Sequence, residues 1–183
     1  MTIASYINGR VIVKVGDITD ERTDAIVNAA NWTLLGGGGV DGAIHDRGGN
    51  EIMEACRGIR ENEYSDGLPT GEAVVTTGGN LTAKHVIHTV GPIYGQNEGR
   101  DSSLLADSYR NSLTRAAELD LRSISFPSIS TGAFYFPKHE AARIVSHAVQ
   151  EFLTSNSIPE HVFLVFYDRS DAEMFVKHQV FHA

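Results

Sequence analysis

Six short apolar runs recur along the chain, most of them separated by longer helical patterns, and this alternation restricts the fold more than any other feature. The runs are RVIVKV (10–15), DAIVNAA (24–30), EAVVTT (72–77), HVIHTV (85–90), SISFPSI (123–129) and HVFLVFY (161–167). Each has strand length, and several are apolar on both faces, as strands enclosed between two layers of helices must be. Residues 40–60, 102–119 and 137–154 carry helical patterns, as does the stretch from Ser170 to about Val180. In the second of these, Leu104, Leu105, Ser108, Tyr109, Ser112, Leu113 and Ala116 recur at helical spacing. The pattern predicts an α/β fold, a three-layer α/β/α sandwich around a mixed, mostly parallel central sheet. No linker-like shift of composition and no internal repeat divides the 183 residues, so a single domain over 1–183 is expected.

Composition removes several function classes. Cys56 is the only cysteine, so a disulfide within the chain and a multi-cysteine metal site are both excluded. His178 and His182 stand four residues apart but have no third ligand beside them; neither a metal nor any cofactor is expected. No run approaches the roughly 20 apolar residues of a membrane span, and the N-terminus lacks a basic segment followed by an apolar one. No membrane association and a cytoplasmic location are expected. The net charge of −8 is dispersed along the chain and disfavours a nucleic-acid partner. An anionic ligand would therefore be met by backbone amides and helix N-termini.

Two segments stand out as ligand loops. Residues 25 to 44, AIVNAANWTLLGGGGVDGAI, place two asparagines, four consecutive glycines and a lone aspartate after a strand, without a lysine or arginine. Four glycines in a row are entropically expensive for a plain connector and suit a backbone pressed against a ligand. Gly37 to Gly42 formally match G-x-G-x-x-G, but Asn31 to Leu35 intervene where a dinucleotide fold joins strand directly to helix, and no G-x-x-x-x-G-K-[ST] phosphate loop exists. The second segment, Ser128 to Pro137, carries hydroxyls, a glycine and three successive aromatics. It reads either as an ordinary strand-to-helix turn with Pro137 opening the helix or as a phosphate cradle with an aromatic beside a bound sugar. Both loops follow strands, so they should meet at the carboxyl edge of the sheet.

Taken together, Val15-Gly16-Asp17-Ile18, Ile26 through Asn31, Gly36 through His45, His88-Thr89-Val90-Gly91-Pro92 and Ser128 through Gly132 resemble, in order and spacing, a macrodomain of the MacroD type. The resemblance spans about Val11 to Phe175. It implies that the ligand is ADP-ribose or one of its esters, with mono-ADP-ribosylated proteins as partners. Asp17 would accept from the adenine amino group, the Ile18 amide would approach the ring, and Tyr167 would pack on it. The diphosphate would lie between Gly37, Gly38, Gly39 and Val40 on one side and Ser128, Ser130, Thr131, Gly132, Ala133 and Phe134 on the other. Asn31 and Asp41 would face the distal ribose as the catalytic pair, with Asn28 bracing the loop and contacting the sugar. The implied activity is hydrolysis of ester-linked ADP-ribose, as O-acetyl-ADP-ribose deacetylation or removal of mono-ADP-ribose from acidic side chains. The alternative is a non-catalytic ADP-ribose reader.

Other side chains near these motifs invite plainer readings. Asp41 lies in a helix first turn, where a carboxylate also serves as a cap. His45, four residues on, reads as a structural hydrogen-bond donor, and Cys56 as a small buried apolar residue. The chain departs from the family's usual pattern at Asp46-Arg47-Gly48-Gly49 and at Gly132-Ala133-Phe134-Tyr135-Phe136-Pro137, where Tyr135 stands at a customary glycine. If that position needs φ > 0, either Tyr135 bears roughly 1–2 kcal/mol of strain or the loop shifts.

Overall fold

Seven strands form one sheet in the computed structural model, which describes residues 1–182. They are β1 (Thr2–Tyr6), β2 (Val11–Val15), β3 (Ala25–Ala29), β4 (Ala73–Thr77), β5 (His85–Thr89), β6 (Ser123–Phe126) and β7 (His161–Phe166), arranged β1-β2-β7-β6-β3-β5-β4. The four inner pairings are parallel, and the two edge pairings, β1 with β2 and β4 with β5, are antiparallel. Five helices complete the fold: α1 (Gly39–Gly48), α2 (Asn50–Asn62), α3 (Asp101–Glu118), α4 (Lys138–Ser155) and α5 (Arg169–His178).

Strand alternation sorts the side chains into two cores. Ala25 and Val27 of β3 share one core with Leu113 of α3, Val149 of α4 and Phe175 of α5. Ile26 and the following Ala30 join Ile44 of α1 and Ile52 and Cys56 of α2 on the opposite face. Helices thus cover both faces, and the layers are those that the doubly apolar strands predicted. Each fully buried large side chain, such as Phe126 or Leu105, contributes roughly 1.5–3 kcal/mol through removal from water. Among the described residues no helix is long and apolar enough to cross a membrane.

The structure differs from the sequence reading in three places. β1 was not foreseen, because TIASY is half polar; it forms by pairing with β2 through a turn in which Ile7, Asn8 and Gly9 all take positive φ. The helical pattern of 40–60 splits at Gly49, whose φ of 80° ends α1, while Asn80 N donates to the Gly48 carbonyl at 2.9 Å. Gly48 therefore stands at a helix end, where a glycine costs less than in a helix interior. The run 123–129 leaves the ladder after Phe126, since Pro127 has no N–H to continue it, and Pro137 precedes α4 rather than opening it.

One irregularity positions the site. β3 and β6 register only Ala25 with Ile124 and Ile26 with Ser125, and the two strands part beyond these residues. The loops that leave their carboxyl ends are thereby held apart, with a cleft between them.

Candidate functional site

The loop after β3 is shaped by Asn31. Its Oδ1 accepts from the Thr33 backbone N–H at 3.0 Å and from the Thr33 hydroxyl, while Nδ2 donates to the Gly36 carbonyl at 2.8 Å. This turn delivers the chain to α1, which starts with Gly38 as an N-cap that has no side chain to offer. The N–H groups of Gly39, Val40 and Asp41 lack partners within the helix and remain available to an anion. Glycine is required at 42, because a Cβ there would stand 2.7 Å from the Gly37 carbonyl oxygen. At Gly37 itself a Cβ would lie 3.0 Å from Asp41 Oδ2 and 3.2 Å from Asn31 Nδ2, so the two polar side chains converge beside bare backbone.

The facing wall is the Ser128–Phe136 loop. Ser128 and Thr131 share a hydroxyl hydrogen bond of 2.6 Å, and the turn is closed by Tyr135 N to Gly132 O and Phe136 N to Ser130 O. Ser130 takes φ 64°, and its buried Oγ has no hydrogen-bond partner. Tyr94 N donates to Phe134 O at 2.9 Å, and Phe136 is buried in the core beneath. Tyr135 adopts φ 58° and leaves its ring 79% exposed. Of the two expectations for this departure, the structure takes the first: the loop holds the left-handed turn and the tyrosine bears the strain. Tyr135→Gly is expected to stabilise the chain by about 0.5–1 kcal/mol in urea unfolding, the relief of strain being partly offset by glycine's greater unfolded-state entropy. Tyr135→Ala, which keeps a Cβ in the same conformation, should not show that gain.

Between the walls lie two lobes of about 550 and 390 Å³ that share Gly39, Val40, Ser128 and Gly132. Asp17, Ile18, Thr131 and Tyr167 line the first lobe. Asn31, Gly37, Gly38, Asp41, Ser130, Ala133 and Phe134 line the second. Asn28 lines neither. It is fully buried, and its amide reaches Asp41 instead of the cleft, so the expectation of direct sugar contact is corrected: it is a β3 residue on the inward face. Two groups that the sequence reading passed over also line the first lobe. Lys138 and Asp171 form an ion pair of 2.6 Å, bringing a cation to a cleft that was expected to rely on amides alone. The position of Lys138 at a helix start directly after the aromatic loop was the available signal.

Asp17 caps the short 3₁₀ turn Ile18–Asp20, its Oδ1 accepting from Thr19 N at 2.9 Å and Thr19 Oγ1 at 2.6 Å. The Thr19 hydroxyl bond, helped by the Thr19 amide and by Arg47, outweighs partial burial and holds the carboxyl below its ordinary range. Oδ2 accepts from no protein donor among the described residues and is left for a ligand. Tyr167 is not packed in the core; its ring is 80% exposed at the rim of the lobe.

Asp41 is 5% exposed and commits Oδ1 to Asn28 Nδ2 at 2.7 Å, not to an N–H of its own helix. His45 Nε2 stands 3.4 Å from the same oxygen, yet neither ring nitrogen of His45 makes a hydrogen bond, which corrects the expectation that it is a structural donor. Behind them, His88 is fully buried between Asn28 Nδ2 at 3.1 Å and Thr76 Oγ1 at 2.8 Å. Burial, reinforced by His45 and opposed by Asp41, pushes its pKa down to about 3, so the ring is neutral. Cys56 is buried as expected, and burial followed by the Asp41 charge pushes its thiol up to about 12. Donor atoms of His45, Cys56 and His88 lie within 4.8 Å of one another, a spacing that could hold a metal ion, but both His88 nitrogens are already in hydrogen bonds.

The Macro domain family profile matches residues 27–145, from within β3 into α4, and so spans both loops of the cleft. A macro domain-containing protein of Streptomyces nogalater is 51% identical over 162 residues, covering 88% of this chain and 87% of the relative. An O-acetyl-ADP-ribose deacetylase of Escherichia fergusonii is 46% identical over 166 residues, covering 91% and 93%. Among solved structures, a mutant of the Oceanobacillus iheyensis macrodomain with ADPR superposes with a TM-score of 0.88 at 46% identity, over 92% of this chain and 90% of that one. The sheet, the two-lobed cleft and these likenesses agree: the chain belongs to the macro domain family.

Proposed function

We propose that this protein, a single macrodomain over residues 1–183, binds ADP-ribose and hydrolyses its ester-linked derivatives. These are O-acetyl-ADP-ribose, from which it would remove acetate, and mono-ADP-ribose esterified to acidic side chains of proteins. The carrying observation is the Asp41 carboxylate, buried in the second lobe wall beside Asn31 and the unpaired amides of the α1 first turn. Adenine would occupy the first lobe, with its amino group donating to Asp17 Oδ2 and its ring against Tyr167. The diphosphate would cross the shared strip, where Gly39 and Val40 amides face Ser128 and Gly132. The distal ribose would then lie against Phe134 and within reach of Asn31 Nδ2, whose second N–H is free of the Gly36 bond.

In this pose Asp41 accepts a hydrogen bond from a water molecule at the ester-bearing end of the ribose. The water oxygen bonds to the carbon under attack, the ester C–O bond breaks, and the products are ADP-ribose and the free acid. An ionised carboxylate orients that water and stabilises developing positive charge, and the ligand phosphate shares the proton transfer. The single, buried Cys56 supports a reducing, cytoplasmic setting.

A direct test incubates a protein bearing glutamate-linked mono-ADP-ribose with the wild type, following free ADP-ribose, while calorimetry measures ADP-ribose affinity. Release and binding together are expected. Asp17→Ala should weaken binding about tenfold through loss of one charge-assisted hydrogen bond. Tight binding without release would leave a reader module in place of the hydrolase, and affinity indifferent to Asp17→Ala would overturn the adenine assignment.

A further inference from the structure

We propose that His88 is a positioning residue for the ester hydrolysis: locked in its Nε2–H tautomer by Thr76, it orients the Asn28 amide so that an N–H, and not the carbonyl, faces Asp41. The proposal rests on the hydrolase reading above. It starts from the sheet. Asn28 of β3 pairs in register with His88 of β5, and His88 pairs with Val74 of β4, two residues from Thr76. Alternation sends Asn28, His88 and Thr76 to the face that carries Ile26, Val86 and Val74, beneath α1 and α2. Three adjacent strands thus place a polar residue where that face is otherwise apolar, and all three residues are buried.

The hydrogen bonds run in one direction. The Asp41 carboxylate only accepts, so the Asn28 atom 2.7 Å from it is the amide nitrogen. That nitrogen also lies 3.1 Å from His88 Nδ1, which must then accept and carry no proton. In a neutral ring the proton is on Nε2, which donates to Thr76 Oγ1 at 2.8 Å, while the threonine hydroxyl donates onward to the Thr77 carbonyl at 3.0 Å. Burial keeps the ring neutral. The arrangement leaves one orphan, the buried Asn28 Oδ1, which has no partner. An unpaired buried carbonyl is costly, and here it accompanies the only amide orientation that presents a donor to Asp41. With the other tautomer, Nδ1–H would oppose the Asn28 N–H. The amide would turn over, and two acceptors would meet where Asn28 and Asp41 now touch, displacing the carboxylate or inviting a proton onto it. His88 does not line the cleft, so its influence should appear in kcat and leave KM unchanged.

The experiment compares wild type, Thr76→Val, His88→Phe and His88→Asn as full chains. It measures kcat and KM on the glutamate-linked substrate, ADP-ribose affinity, and the ¹⁵N imidazole spectrum of histidine-labelled protein. The Nε2–H tautomer is expected in wild type at pH 7. Thr76→Val should lower kcat about tenfold and His88→Phe about 100-fold, with KM and affinity within about twofold, as for a displaced catalytic group. His88→Asn, whose Oδ1 takes the place of Nδ1, should recover most of the loss. Wild-type turnover in His88→Phe, equal impairment of Asn and Phe variants, or an Nδ1–H signal in wild type would each overturn the proposal. A wild type that binds ADP-ribose without releasing it overturns the hydrolase reading instead, and the relay is then decided by the ¹⁵N spectrum, Nε2–H supporting it and Nδ1–H overturning it.

Discussion

Asp41→Ala is expected to lower the release of ADP-ribose from a glutamate-linked ester by about 10²- to 10³-fold, while changing ADP-ribose affinity by less than about tenfold. The asymmetry follows from where the carboxylate sits. It lines only the second lobe, whereas Asp17, the α1 amides and the Ser128 loop, which the proposed pose sets against adenine and diphosphate, line the first lobe and the shared strip. In the proposed pose its charge acts on water and on the transition state, so removing it should cost rate more than recognition. Asp41→Asn sharpens the test, because it keeps the shape and an acceptor for Asn28 Nδ2 while removing the charge. A comparable loss of kcat in the asparagine variant would assign the effect to charge; turnover close to wild type in both variants would sink the assignment of Asp41. The readouts are single-turnover release and calorimetric affinity on the same preparations.

The second large effect concerns acid stability. His88 has a folded-state pKa near 3, below the ordinary histidine value near 6.5 that applies once the chain unfolds. Below about pH 6.5 the unfolded chain therefore binds a proton that the folded chain refuses, and stability falls as pH falls. The His88 contribution is fully present above the unfolded value and is lost progressively toward pH 3, at roughly 1.4 kcal/mol per pH unit. Asp17 acts in the same direction lower down, since its depressed carboxyl stabilises the fold above about pH 4 and loses that effect as it protonates. The window from pH 6 to 4.5 lies above the Asp17 effect, and about 2 kcal/mol of the His88 contribution should disappear across it. His178, also held below its ordinary range, acts in the same direction there and cancels when wild type is compared with a His88 variant. Urea unfolding of wild type and His88→Asn across that window is the measurement. The variant should show a slope flatter by roughly 1.4 kcal/mol per pH unit, and parallel slopes would mean that His88 is not held neutral by burial.

The sequence carried the layers of this fold because several strands are apolar on both faces, a pattern with few solutions other than helices above and below. It was silent on β1, whose five residues are held mainly by backbone pairing to β2 and leave no hydrophobic period. It joined α1 and α2 because apolar spacing continues across Gly49, and only the left-handed backbone there breaks it. At the site, glycines 36 to 39 and the aromatic loop were visible as composition. The pairing of Lys138 with Asp171 was not, because it depends on α4 and α5 packing side by side.

The polar residues at 28, 76 and 88 show the boundary most clearly. Their positions within apolar strands are legible in VVT, IVN and VIH, and strand alternation alone places all three on one face of their strands. That Asn28 meets both His88 and Asp41 could not be read from the chain, because it depends on β3, β5 and β4 lying adjacent and on α1 crossing above them. Local sequence determined which residues could be buried, where the backbone could turn and which loops were bare enough for a phosphate. Tertiary structure alone decided which buried polar groups became partners, because a hydrogen bond depends on distances of a few ångströms between segments tens of residues apart.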